Sequence, residues 1–73
     1  MPKINETKYH LTKRELQVLC GVTQGKTNNE IAKELFVSSH TIKFYVSSIF
    51  YKLSVASRSA AAVKAIKENL VNI

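Results

Sequence analysis

Apolar positions cluster at spacings of three and four residues, with polar breaks between the clusters, and nowhere does apolar alternate with polar long enough to make a strand. The first ten residues, MPKINETKYH, are polar, aperiodic and contain Pro2, which predicts a flexible arm over 1–10. Order is expected from Leu11 onward. In LTKREL, Thr12 can cap a helix, Glu15 can reach back to the N–H of the cap, and Leu11 can pack on Leu16. A first helix is therefore predicted from about Lys13 to Gln24, stopping at Gly25. Two inward stripes compete for it: Val18, Leu19 and Val22, or Leu16, Leu19, Cys20 and Thr23. Gly21 weakens this helix by about 1 kcal/mol relative to alanine unless a neighbour packs close there.

The same start signal recurs at Thr27 and Glu30 and opens a short second helix with Ile31, Ala32 and Leu35 on one side. A third cap, Ser38, precedes a helix over about 39–53, in which Ile42, Val46, Ile49 and Leu53 form an inward stripe. Only about three residues separate the second and third helices, so they must cross steeply as a helix-turn-helix. SVASRS reads as another turn, and the alanine-rich SAAAVKAIKENL as a fourth helix from about Ser59 to Asn69. The expected fold is all-α, a compact four-helix domain over 11–73 with neither disulfide nor metal.

At 73 residues there is room for one domain only. A single cysteine cannot form an internal disulfide, and no Cys/His set has metal-ligand spacing. With no signal-peptide pattern and no run near the ~18 apolar residues of a membrane span, the expected location is the cytoplasm. The formal charge of +6 changes the picture more. No acidic residue lies between Glu34 and Glu68, whereas Lys43, Lys52, Arg58, Lys64 and Lys67 do, so the positive field belongs to the second half and favours a polyanion. Glu15 and Glu30 read as helix caps, Cys20 as a packing residue, and no nucleophile, base and oxyanion-donor set can be assembled. The chain is read as a non-enzyme without cofactor or small-molecule ligand.

On a wheel of ~100° per residue, Ile42, Tyr45, Val46, Ile49 and Leu53 gather on one side of the third helix, and His40, Lys43, Phe44, Ser47 and Tyr51 on the other. The outer face suits a B-DNA major groove. Small serines allow close approach, a lysine can donate to guanine O6 and N7, and a phenyl edge can meet a thymine methyl. Candidate base-contacting residues are Lys43, Phe44, Ser47 and His40. Phosphates would be met by flanking groups: Thr27, Asn28, Asn29, Thr41, Ser48, Lys52 and Arg58.

LTKRELQVL, the glycine at position 25, TNNEIAKELFVSSHTIKFYVSSIFYKLSV and the arginine at position 58 resemble the LuxR/GerE-type DNA-binding domain of bacterial transcription regulators, over residues 11 to about 71. The resemblance implies a four-helix domain whose third helix enters the major groove. It also implies base reading at Lys43, Phe44 and Ser47, backbone contacts at Thr41, Lys52 and the start of the second helix, dimerisation through the fourth helix, and action by contact with RNA polymerase. Tyr45 stands where a histidine is usual, Ser54 where glycine or asparagine is usual, and Tyr51 where a basic residue is frequent. In the fourth helix, Ala62, Val63, Ile66 and Leu70 are expected to cover the core, leaving Ala61 and Ala65 as the dimer strip. Met1 mildly favours a complete single-domain regulator over an excised effector domain. Two other readings stand beside this one: a sigma-factor-like promoter-reading domain, against which the extra helix argues, and a small basic adaptor for an acidic protein.

Overall fold

A computed structural model describes residues 9–71. Among the described residues the helices are α1 (Lys13–Thr23), α2 (Asn28–Leu35), α3 (Ser39–Leu53) and α4 (Arg58–Lys67). Residues 1–8 of the expected arm lie outside the described residues, but its last two are held. The Tyr9 phenol donates to Glu68, its ring sits 5.2 Å from the Lys64 ammonium, and the His10 carbonyl accepts from Lys52.

Both capping boxes form. Thr12 and Glu15 bond reciprocally at the start of α1, and Thr27 and Glu30 do so at the start of α2. Ser38 and Ser57 cap α3 and α4 by accepting the amides of Thr41 and Ala60. The fourth helix therefore begins at Arg58, not Ser59. All four helices end alike. A residue in the left-handed region comes after the last turn, Gly25, Phe36, Ser54 or Asn69, and the next amide bonds the carbonyl five residues back, at 3.1, 3.0, 3.0 and 2.8 Å respectively. Val37 and Val55, next after two of these residues, pack on the core, and Leu70, next after a third, is buried in it.

The core joins Leu11, Val18 and Leu19 to Ile31, Ile42, Ile49 and Leu53, with Ala61 and Ala65 closing it from α4. Of the two stripes open to α1, the structure uses Val18, Leu19 and Val22. Gly21 is where α2 comes closest. A Cβ there would lie 2.7 Å from Ile31 Cγ1, so the weak helix former is the residue that admits α2.

On α4 the expected core face is found in part: Leu70 is buried and Ala62 packs on the core, but Val63 and Ile66 do not. Ala61 and Ala65 are fully buried, and Val63 and Ile66 are more than half exposed, so the two alanines cannot serve as a dimer strip. The reason is distance between backbones. α4 packs mainly on α1, and small side chains let it approach, while a guanidinium and an ammonium fix its rotation. Arg58 donates to Asn28 Oδ1 and to the Lys26 carbonyl, both at 2.7 Å, and Lys64 donates to the Leu53 carbonyl at 3.0 Å.

Candidate nucleic-acid interface

Because Ile42, Val46, Ile49 and Leu53 bury one side of α3, the opposite side is presented to solvent for the whole length of the helix. His40, Lys43, Phe44 and Ser47 are all exposed there, as the wheel requires. Phe44 is 73% exposed. The face thus offers one lysine, one imidazole, a hydroxyl and an uncovered phenyl ring.

At the N-terminal end of α3 lies an open groove of about 540 Å³, lined by Thr27, Asn28, Asn29, Ser39, His40, Lys43 and Arg58. The first turns of α2 and α3 both open on it, and their unpaired amides add partial positive charge to that of Lys43 and Arg58. No carboxylate lines it. Such a groove suits an anionic oxygen held by amides and cations together. Ser39 belongs to this groove although the sequence pattern does not single it out; its place directly after a helix cap is the available signal.

The expected backbone-contacting residues divide. Asn29 is exposed and lines the groove. Thr27 spends its hydroxyl on the Glu30 amide, and Thr41 shares a 3.0 Å hydroxyl contact with Ser38. Asn28 and Arg58 are bonded to one another at the floor, which leaves Arg58 as much a strut as a surface cation. Ser48 and Lys52 turn inward. The Ser48 hydroxyl donates to Glu15 at 2.6 Å and the Lys52 ammonium at 2.8 Å, so both are bonded within the chain. Helical spacing cannot reveal this, because their partner is far away in sequence.

Glu15 is consequently more than a cap. Its side chain is 5% exposed. Burial alone would raise its carboxyl, but hydrogen bonds from Lys52, Ser48 and the Thr12 amide, with the Lys52 charge, hold it below the usual 4.5. The hub ties the C-terminal half of α3 to the start of α1 and so fixes the angle at which the outer face is shown. Among the described residues, no helix is long and apolar enough to cross a membrane and no cluster of ligating side chains could hold a metal.

Comparison with known proteins gives the family. The family model described as GerE, bacterial regulatory proteins of the luxR family, matches residues 9–65. The transcriptional regulatory protein LiaR of Bacillus subtilis (strain 168) is 50% identical over 62 residues, which are 85% of this chain and 29% of LiaR. The spore germination protein GerE of the same organism is 42% identical over 62 residues, covering 85% of this chain and 84% of GerE. Among solved structures, the response regulator ChrA of a heme-sensing two-component system superposes with a TM-score of 0.79 at 36% identity, over 84% of this chain and 30% of ChrA. The chain thus spans about 30% of LiaR and ChrA but most of GerE. It belongs to the luxR family of bacterial regulatory proteins, the GerE type, whose members are DNA-binding transcription regulators.

Proposed function

We propose that this chain reads a specific double-stranded DNA sequence by laying α3 in the major groove, with Lys43, Phe44, Ser47 and His40 toward base edges. The observation that carries the reading is the outer face of α3, where a lysine, a serine and an uncovered phenylalanine stand in one row beside a cationic groove. Asn29 and the first-turn amides of α2 hold a backbone phosphate and set the register of the helix, with Arg58 bracing them.

Two copies would read two half-sites. The strip left exposed on α4, Val63 and Ile66, flanks an open groove lined by Val55, Ser59, Ala60, Val63, Lys64, Lys67 and Glu68, and is the surface through which a homodimer forms in this reading. Bound to its site, the protein would control transcription through contact with RNA polymerase, at the chromosome and without a small-molecule ligand in this domain.

Selection of bound duplexes from a randomised DNA pool at near-physiological salt tests the proposal. Enrichment of two related half-sites about one helical turn apart is expected. A single enriched half-site would remove the dimer and keep the reading. Retention without enrichment would mean attraction by charge alone, and would favour the adaptor for an acidic protein instead.

A further inference from the structure

A second open groove, of about 510 Å³, lies at the opposite end of α3 and is lined by Tyr9, His10, Tyr51, Lys52 and Ser54. Tyr51 is 86% exposed, and its phenol is bonded to no group among the described residues. It stands seven residues after Phe44 and four after Ser47, so it continues the same row of the helix beyond both. His10 is exposed as well. Its backbone is held at φ 60°, and its carbonyl accepts from the Lys52 ammonium at 2.8 Å, which fixes its position beside the end of α3. Ser54, at φ 57°, adds a hydroxyl.

The charge of this groove differs from that of the first. No carboxylate lines it, but the Glu15 carboxylate lies behind Lys52 and is paired with it at 2.8 Å. What remains for a ligand is a phenol, an imidazole, a hydroxyl and one uncommitted N–H of Lys52. These are donors fit for an anionic oxygen. α3 is about 22 Å long, whereas the major groove is about 12 Å wide, so a helix lying in it meets the phosphates of both strands near its ends.

Resting on the reading of α3 as the DNA-facing helix, we infer that Tyr51, His10 and Ser54 bind a backbone phosphate of the strand opposite the one held at the start of α2. Tyr51 is the main donor. Since it carries no charge, its contact displaces no counterion and leaves the salt dependence of binding unchanged. The second anchor thus adds affinity without steepening the loss of binding at high salt.

The test compares the full chain with Tyr51→Phe and His10→Gly on a selected duplex and on a scrambled one. Tyr51→Phe removes only a solvent-exposed hydroxyl, and glycine accepts the φ of position 10, so both variants should fold; circular dichroism checks this. Each is expected to bind both duplexes about 3–10-fold more weakly, by the same factor on each, as loss of one ordinary hydrogen bond in an open groove predicts. In Tyr51→Phe the slope of log affinity against log salt should stay that of the wild type. A scan of neutral methylphosphonate links should find one position that weakens the wild type and has no further effect in Tyr51→Phe. Unchanged affinity in both variants, or loss confined to one base pair of the selected duplex, would overturn the inference. Failure of base reading looks different: the wild type would not distinguish the duplexes, while equal losses in the two variants would still support the phosphate groove.

Discussion

Glu15 closes the capping box of α1 and with the same carboxylate receives Ser48 and Lys52 from α3. Its pKa in the folded chain lies below its ordinary value, so its contribution to stability is complete above about 4.5 and is lost as pH falls through the lowered value. Glu15→Gln should therefore have a lower Tm at pH 7, and the gap to the wild type should narrow in acid; a constant gap would separate the hub from the pH dependence. Phe36 illustrates the opposite economy. It occupies the left-handed region at φ 60° while 94% exposed, so no burial offsets the strain. Phe36→Asn is expected to raise stability by about 1 kcal/mol in urea unfolding. Lys43 is exposed in the row that would face base edges. Lys43→Ala should cost about 1–3 kcal/mol on the preferred duplex and relax preference at one base pair, measured by competition with single-substitution duplexes. An equal loss on every sequence would make Lys43 a phosphate contact instead. The caps are legible in the sequence because each is a local exchange over three residues. The second role of Glu15 is not, because Ser48 and Lys52 are brought to it by folding.

At the scale of elements, the starts of helices are easier to read than their ends. Thr12, Thr27 and Ser38 announce themselves by residue type, whereas of the four left-handed closures only Gly25 and Asn69 carry the usual residues. Phe36 and Ser54 give no such sign, and the closure shows instead in the apolar neighbour one position on, Val37 or Val55, which packs back on the core. Gly21 is the element-scale counterpart of a cap. Gly21→Ala would favour the helix by about 1 kcal/mol on propensity alone, but its Cβ would meet Ile31 at 2.7 Å. Overpacking of about 1–3 kcal/mol should outweigh that gain and lower Tm; a higher Tm would show that Ile31 can move aside. Periodicity turns Val63 and Ile66 inward because it weighs apolarity, and they outweigh two alanines on any such scale. Close approach of two helices selects for small side chains, and so Ala61 and Ala65 lie inside.

For the whole molecule, the exposed pair on α4 bears on assembly and the charge bears on partners. If Val63 and Ile66 form the homodimer surface, Ile66→Asp should leave helicity unchanged, shift the sedimenting species to monomer and weaken binding to a two-half-site duplex more than to a single half-site. Equal behaviour on the two duplexes would place the dimer contact elsewhere or remove it. The basic second half sits in the sequence itself, in an interval free of acidic residues. Yet only folding decides which charges are available. Lys43 stays exposed, while Lys52 and Arg58 are largely committed to partners within the chain. By itself the sequence determined the four helices, three of their four caps, the buried and outward faces of α3 and the family resemblance, because each depends on residues a few positions apart. Tertiary structure decided the rotation of α4, the partners of Glu15 and Arg58, and the grooves at the two ends of α3. These depend on which surfaces meet across the chain, and that is set by side-chain volume and long-range hydrogen bonds, not by period.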